Sequence, residues 1–314
     1  MSIPVGLKKR TIGLKIESKM KRWIETLPEE LQKLVKRDVI VTGGSIASML
    51  LGEQVNDYDV YFKTKQTVVA VADYYLSRFL EAQRHKYEGG VKYNMILEEL
   101  KDSQGRDRVR IKIQSAGIAG EEQTEVYEYF ESQPDELAGE YVEDAFDQQT
   151  GPTPADSEKP KYRPVFLSSN AITLSDNVQV IIRFWGDVDE IHKNFDFVHC
   201  MNYWTFQDGV QLRLDALEVL MSRTLVYLGS LYPVCSVFRA RKFIERGWKI
   251  NAGQYLKMIL QCSDLDLSDY KILEEQLTGV DAAYFSDLLA KARNKENPER
   301  VDKNYLVEII NRMF

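Results

Sequence analysis

Cysteine is scarce in this chain of 314 residues, and the placement of its few cysteines excludes two kinds of site. Cys200, Cys235 and Cys262 lie far apart, so they give neither a disulfide framework nor the ligand spacing of a zinc site. No His-Glu-x-x-His segment occurs either, which also argues against zinc. We therefore expect buried or inert thiols and a reducing, cytoplasmic location.

Long apolar runs are missing as well. No segment approaches the roughly 20 apolar residues that cross a bilayer, and the opening MSIPVGLKKRTIG lacks the core of a signal peptide. Two catalytic motifs are also absent, the G-x-S-x-G elbow and the G-x-x-x-x-G-K-[ST] loop. The sequence thus predicts no membrane partner and disfavours acyl transfer and P-loop ATPase chemistry.

Basic residues are in the minority, but the excess of acid is concentrated in one segment. The formal net charge is −7, from 41 Lys and Arg against 48 Asp and Glu. Residues 121–147 hold eleven of the carboxylates and no Lys or Arg, so the rest has 41 basic and 37 acidic residues, a net charge of +4. The overall acidity therefore argues only weakly against an RNA or DNA partner.

What the chain does have is a strand–turn–helix–strand pattern over residues 39–62. An apolar run ends at Gly43-Gly44-Ser45, a short helical segment closes at Leu51-Gly52, and Asp57-Tyr58-Asp59 opens the next strand. Strand alternation places Asp57 and Asp59 on one face. Asp-x-Asp alone usually marks a solvated strand and Gly-Gly alone a turn, but their combination in this order indicates a functional site.

Two neighbouring carboxylates repel each other unless a cation lies between them, and Mg²⁺ is a cation held by carboxylates and substrate phosphates. A glycine turn that opens a helix brings backbone N–H groups close to such phosphates. Asp57 and Asp59 are therefore candidate metal ligands in a site for metal-dependent nucleotidyl transfer.

A third carboxylate is proposed from the segment Asn194 to Cys200, which we expect to be a strand. Asp196 on that strand would complete a two-metal cluster with Asp57 and Asp59, as a ligand or as the base toward an RNA 3′-hydroxyl. The structural alternative is an aspartate that caps a neighbouring turn.

Positive charge is concentrated between Pro233 and Ile250. On a helix, Arg239, Lys242 and Arg246 share one face, while Arg241 lies on another. Such a helix can offer its cations to phosphates, although a solvated basic face is an equally good interpretation.

The remaining pattern predicts helices over 18–36 (broken at Pro28) and 65–84, strands over 92–97, 108–113 and 178–185, and a turn or two of helix between 186 and 193. Residues 148–163 indicate an exposed loop, and consecutive helices follow from about Leu212. The sum is an α/β head followed by an all-helical region.

The motif from Gly43 to Asp59 resembles the head of the DNA polymerase beta-type nucleotidyltransferases, in particular the tRNA CCA-adding enzyme and bacterial poly(A) polymerase branch. The segment Pro233 to Ile250 resembles the neck helix of the same branch. The resemblance implies an α+β fold, with a mixed-sheet nucleotidyltransferase head over residues 1–205 and a helical neck and body over 206–314. An acidic insertion and loop would occupy about 115–163.

The same resemblance implies roles for individual residues. Asp57 and Asp59 would ligate Mg²⁺, and Asp196, proposed above from its own segment, would complete a cluster for two Mg²⁺ ions. Nucleotide contacts would come from two regions of the chain: Gly43, Gly44 and Ser45 in the turn, and Arg239, Arg241 and Lys242 in the neck.

The function predicted first is transfer of NMP from an NTP to the 3′ end of an RNA such as tRNA, with release of pyrophosphate. A second hypothesis is nucleotidylation of a protein or small molecule, as in toxin-like or antibiotic-modifying enzymes. A third is a degenerate, non-catalytic binding module, against which the Asp57 and Asp59 pair argues.

Overall fold

The computed structural model describes residues 6–86, 94–101, 105–114, 161–167 and 170–277, with short stretches between 300 and 308. The chain divides into two compact units. The first holds the described residues up to Lys193 and then His199–Leu220; the second holds Asn194–Val198 and the described residues from Met221 onward. The acidic segment 121–147 and nearly all of the predicted loop 148–163 lie outside the described residues.

The first unit contains both helices and strands. Its helices are α1 (Lys9–Ile24), α2 (Glu29–Asp38), α3 (Gly44–Leu51), α4 (Lys65–Lys86), α5 (Val188–His192) and, extending into the second unit, α6 (Leu214–Ser222). Its strands are β1 (Val39–Thr42), β2 (Tyr58–Phe62), β3 (Asn94–Lys101), β4 (Asp107–Gln114), β5 (Pro164–Leu167), β6 (Ala171–Leu174), β7 (Val178–Trp185), β8 (Tyr203–Thr205) and β9 (Gly209–Gln211).

Seven of these strands form one mixed sheet in the order β5-β6-β7-β2-β1-β8-β9. Strands β2 and β7 run parallel, and the other neighbouring pairs run antiparallel. Strands β3 and β4 form a separate antiparallel hairpin. The central position of β1 and β2 puts the predicted site in the middle of the sheet.

Helix α1 covers one face of this sheet with an apolar stripe. Ile12, Ile16, Met20 and Trp23 recur at helical spacing and are fully buried in the core. The indole Nε1–H of Trp23 donates a hydrogen bond of 2.7 Å to the Tyr75 hydroxyl on α4, which satisfies two polar atoms inside the core. Pro28 separates α1 from α2, as the sequence predicts.

The first end of β1 is fixed by a buried carboxylate. Asp38 accepts hydrogen bonds from Arg37, from the Thr64 hydroxyl (2.7 Å) and from the Thr67 hydroxyl (2.5 Å) at the start of α4. Burial alone would raise the pKa of Asp38, but these donors outweigh it and lower the pKa to about 2. Asp38 therefore ties β1 to α4 as a carboxylate.

The second unit is mainly helical. It contains α7 (Pro233–Glu245), α8 (Ala252–Ser263) and α9 (Tyr270–Leu277). A two-stranded parallel pair, β10 (Thr224–Leu225) with β11 (Lys249–Ile250), flanks α7. This pair is an addition to the predicted all-helical region.

The α+β class and the mixed sheet are confirmed, as is the strand–turn–helix–strand unit. The strand predicted over 194–200 is wrong: Phe197 forms one isolated bridge with Tyr227, and Val198–Cys200 is a 3₁₀ turn. Asp196, Phe197, Val198 and His199 are all buried, so there is no alternation between two faces. The predicted domain boundary at 205/206 stays a prediction.

None of the helices that the structure describes has both the length and the apolar character that a membrane-spanning segment needs.

Candidate functional site

The turn between β1 and α3 depends on Gly43. Its φ of +92° and ψ of −153° belong to a backbone region that residues other than glycine rarely adopt. The Gly43 N–H donates a hydrogen bond of 3.1 Å to the Cys200 carbonyl, which fixes the turn to the segment before β8. The turn is thus anchored by a residue that is distant in sequence.

Asp59 lies directly against this turn. Strand pairing sets Thr42 opposite Asp59, and a Cβ atom built on Gly43 would collide with Oδ2 of Asp59. Glycine is therefore required here by both backbone conformation and space. The glycine turn and the aspartate, which the sequence indicates only as neighbours in a pattern, are in contact.

Asp57 is exposed and directly precedes β2. The backbone N–H of the intervening Tyr58 donates to the Asn177 carbonyl (2.9 Å), which holds this end of β2 against β7. Tyr58 packs toward the core, so alternation directs Asp59, the next residue of β2, to the opposite face. Asp57 lies before the strand, and its place on the same face as Asp59 stays a prediction.

The first turn of α3, which begins at Gly44, offers backbone N–H groups as hydrogen-bond donors. Its N–H groups lack intrahelical partners by geometry, and a Cβ atom on Gly44 would meet nothing within 4 Å. Ser45 is 3% exposed, and its hydroxyl has no hydrogen-bond partner among the described residues. An anion seated here would gain N–H donors, the positive end of the helix dipole and an unsatisfied hydroxyl.

A buried histidine supports the turn from the other side. The Thr42 hydroxyl lies 2.9 Å from Nε2 of His192 and donates to the backbone carbonyl of Asn202 (2.9 Å). Because a hydroxyl has one proton and Thr42 gives it to a carbonyl, Nε2 of His192 must be the donor to Thr42. Burial, followed by repulsion from Arg213, lowers the pKa of His192 to about 4, so the ring is neutral near pH 7.

Asp196 has a different environment and belongs to the second unit. It is 5% exposed, and its Oδ2 accepts a hydrogen bond from Nη1 of Arg239 on α7. Its other oxygen is buried with no hydrogen-bond partner in the described part of the chain. The contact observed for this carboxylate is an ion pair with arginine, and its role as a third metal ligand stays a prediction.

The other predicted neck residues also lie on α7. Arg241 is exposed and pairs with Glu245 one helical turn along (3.0 Å). Lys242 is exposed. Two of the three cations predicted to contact the nucleotide, Arg239 and Arg241, are thus engaged with carboxylates.

The residues around the turn fit a divalent cation bound together with phosphates. Within the described ranges, no group of three or more His, Cys, Asp or Glu side chains is placed to hold a metal ion. Mg²⁺ commonly takes only one or two carboxylates and completes its coordination with substrate phosphates and water. Asp59 beside the glycine turn, with Asp57 two residues before it in the chain, would supply that kind of donor set.

The sequence does not reveal the support behind the turn. Thr42, His192 and the Cys200 carbonyl meet across about 150 residues of chain, and no spacing rule connects them. The scarcity of histidine and cysteine is the one signal that could have drawn attention to this segment.

Fold and site together define an α+β protein in which a glycine turn and a strand aspartate are held in contact at the centre of a mixed sheet. The profile of the Gabija anti-defense 2 family protein, Gad2, matches residues 14–223. The chain belongs to the Gabija anti-defense 2 family. This match corrects the narrower expectation of the CCA-adding and poly(A) polymerase branch.

A curated relative agrees with the family. The protein "Gabija anti-defense 2" of Bacillus phage SPbetaL7 is 24% identical over 144 residues, which are 42% of this chain and 36% of the relative. The matched region thus spans about a third of that relative's length.

Among solved structures, the Thermotoga maritima CCA-adding enzyme complexed with tRNA overlaps 94% of this chain and 53% of its own, with 10% identity and a TM-score of 0.38. A CCA-adding enzyme complexed with CTP overlaps 94% of this chain and 52% of its own, with 12% identity and a TM-score of 0.37. The chain spans about half the length of these enzymes, and a likeness at such scores carries no argument about function.

Proposed function

We propose that this protein is a metal-dependent nucleotidyltransferase that moves NMP from an NTP to an acceptor hydroxyl, and that its first acceptor is the 3′ end of an RNA such as tRNA. The observation that carries the proposal is the contact between Gly43 and Asp59. It places a carboxylate beside a helix end suited to phosphates. We also propose that the protein acts in the cytoplasm against the Gabija defence, in line with the family's name.

In this reaction the acceptor oxygen attacks the α-phosphorus, and the bond to the pyrophosphate leaving group breaks. The N–H groups of Gly44 and Ser45 would bind the triphosphate, while Gly43, already bonded to Cys200, would hold the turn. Asp57 and Asp59 would hold Mg²⁺. When bound, Mg²⁺ lowers the pKa of the attacking hydroxyl and offsets the charge of the triphosphate.

The test is incubation of the purified full chain with each NTP, labelled at the α-phosphate, together with Mg²⁺ and total RNA. We expect label in RNA, and Asp59→Asn should reduce its incorporation about 10³-fold, because the metal supplies several kcal/mol of transition-state stabilisation. Asp189→Asn, an exposed aspartate on α5 in the same unit, removes the same charge and should have no effect. Equal incorporation by wild type and Asp59→Asn would contradict the proposal.

A second acceptor class is favoured by membership in an anti-defense family. A protein or small molecule of the defence could receive the NMP instead of RNA. Label that enters a protein band or a small acceptor, and not RNA, in an extract of cells carrying Gabija would assign this acceptor class.

A non-catalytic binding role predicts a different result. If Asp59→Asn protects phage from Gabija as well as the wild type does, in plaque assays on Gabija-carrying cells, then transfer is not how the protein acts. We expect protection to be lost together with transfer.

A further inference from the structure

Helix α1 carries an excess of positive charge that the proposed chemistry does not use. Six of its sixteen residues are Lys or Arg, and its single carboxylate, Glu17, already pairs with Lys21 (2.6 Å). This helix belongs to the same unit as the site.

Four cations define one line along this helix, here called the α1 stripe: Lys8, Lys15, Lys19 and Arg22. The spacing of four and three residues places Lys15, Lys19 and Arg22 on one face, over about 10 Å at 1.5 Å per residue, and Lys8 directly precedes the helix. Lys8, Lys15 and Arg22 are exposed, and Lys19 is half-buried. Like charges at such spacing repel each other, so the stripe costs the isolated helix some stability.

The stripe cations form no ion pair among the described residues, as is also the case for Lys33 and Lys36 on α2, whereas several other cations of the first unit are paired. Lys65 pairs with Glu99, Arg110 with Glu98, Lys101 with Asp107 and Arg213 with Asp215. No carboxylate lies within 4.0 Å of a stripe cation in the described part of the chain, although Asp176 acts on Lys19 at longer range. Within the described residues, the stripe is therefore a line of positive charge without ion-pair partners.

One member of the stripe is held in place. The Lys19 ammonium lies 5.2 Å from the ring centre of Tyr58 and 6.0 Å from that of Tyr162. Burial is the largest cause that lowers the pKa of Lys19. A cation fixed against two rings loses less side-chain freedom when it binds an anion than a fully mobile lysine does.

The stripe also lies near the start of β2. Lys19 contacts the ring of Tyr58, which stands in the chain between Asp57 and Asp59 and packs toward the face opposite to Asp59. At the start of α1, the Leu7 N–H donates to the Met49 carbonyl of α3 (2.8 Å). An extended ligand along the stripe would thus pass the end of β2 where Asp57 lies.

We infer that the α1 stripe binds the phosphate backbone of single-stranded RNA and so holds the acceptor whose 3′ end enters the site. A regular line of cations matches a chain with regularly repeated negative charge. An acidic protein is a poorer match, since protein interfaces are depleted of lysine and built on apolar anchors, and Leu14 is the one large exposed hydrophobic residue described on α1. The inference rests on the proposed function for the identity of the acceptor.

Binding can be measured apart from transfer. The full chain with Asp59→Asn, without NTP, is titrated into a fluorescein-labelled 20-nucleotide RNA, and anisotropy is recorded from low to high salt. The double variant Lys15→Gln/Arg22→Gln should bind about tenfold more weakly at low salt. Its plot of log affinity against log salt should be less steep by about 1.4, since each phosphate contact on a single strand contributes about 0.7.

Two further variants make the test specific. Lys33→Gln/Lys36→Gln removes the same charge from exposed positions on α2 and should change the RNA affinity less than twofold. Lys19→Met keeps the stem over the tyrosines and removes the ammonium, and it should weaken RNA binding without changing the unfolding curve. Equal losses in the α1 and α2 pairs, or no loss in the α1 pair, would overturn the inference.

The remaining outcomes separate the stripe from the proposed function. Polyglutamate of equal charge that displaces RNA stoichiometrically would show that the stripe binds any polyanion and would overturn the RNA assignment. RNA bound through the stripe with no NMP transferred by the wild type would support the stripe and contradict the RNA-transfer function. Stripe variants that bind RNA as tightly as the wild type and transfer NMP into it would contradict the role of the stripe and support the RNA-transfer function.

Discussion

A carboxylate lies beside each end of β1, and the two have opposite environments. At the first end, Asp38 is buried and surrounded by donors from Arg37, Thr64 and Thr67. At the second end, Asp59 lies half-buried against a glycine turn, with open space before Gly44. The first end is closed by its own side chains, and the second leaves room for a ligand.

The difference shows which features separate a structural carboxylate from a candidate catalytic one. A carboxylate whose oxygens are saturated by protein donors stabilises the fold and has little capacity left for a metal. One beside unused N–H groups and an unsatisfied hydroxyl can take part in binding phosphates and cations. Asp196 stands between the two kinds, since Arg239 pairs with one of its oxygens and the other is buried without a hydrogen-bond partner among the described residues.

The largest expected effect concerns pH at the open end. Since His192 has a folded pKa of about 4 against an ordinary value of 6.5, the unfolded chain binds more protons between these values. We expect the free energy of unfolding to fall by about 3 kcal/mol from pH 6.5 to pH 4 through this group. Urea denaturation of wild type and His192→Gln at pH 7 and pH 4.5 measures it. A pH dependence as steep in the variant as in the wild type would contradict the assignment.

The second prediction compares two glycines with positive φ. Gly43→Ala should reduce NMP transfer about 10²-fold, because its Cβ atom would displace the Asp59 carboxylate. Gly209, with φ +62° and nothing within 4 Å of a Cβ atom, is the control for a Cβ atom added at positive φ. Both variants should lose stability, about 1 kcal/mol for Gly209→Ala and more for Gly43→Ala, but only the latter should lose activity per folded molecule. Equal activities would mean that the contact at Gly43 is not functional.

The third prediction concerns the closed end. Asp38→Asn should lower the free energy of unfolding by about 2 kcal/mol at pH 7, from the difference between its folded pKa of about 2 and its ordinary 3.8. Because the folded pKa is depressed, this stability is present above about pH 4 and disappears as the pH falls to about 2. Transfer per folded molecule should be unchanged. A loss of transfer at full stability would make Asp38 part of the site.

The smallest expected effect is a difference in stability between two variants of the Asp196–Arg239 ion pair. Arg239→Gln leaves a buried carboxylate uncompensated, whereas Asp196→Asn leaves an arginine that is 41% exposed and able to meet water. Urea denaturation should show the arginine variant to be less stable by about 1 to 2 kcal/mol, a value reduced because water screens the arginine. Loss of transfer in Asp196→Asn on the scale of Asp59→Asn would instead support the predicted third metal ligand.

Local patterns in the sequence were sufficient to predict the strands and the helix around the candidate site. The order of strand, Gly43-Gly44-Ser45, helix and Asp57-x-Asp59 depends on neighbours in the chain, and β1, α3 and β2 follow it. Pro28 and the helical pattern over residues 65–84 predicted the surrounding helices for the same reason.

Contacts between distant segments could not be predicted in this way. Strand alternation suggested a strand around Asp196, but residues 196–199 are all buried and the segment pairs at a single bridge. Alternation between a buried and an exposed face therefore does not apply to this segment. The three-residue strands β8 and β9 are too short to show a period. The His192–Thr42 hydrogen bond depends on tertiary structure alone.

The contact between Gly43 and Asp59 also sets a rule for how this family can vary. Two positions that share the same space cannot be altered independently: a side chain at 43 requires a shorter or displaced residue at 59. Across Gabija anti-defense 2 proteins, we expect glycine and aspartate at these positions to be kept or lost together. A lineage that has lost both would lack the carboxylate on which the proposed transfer depends.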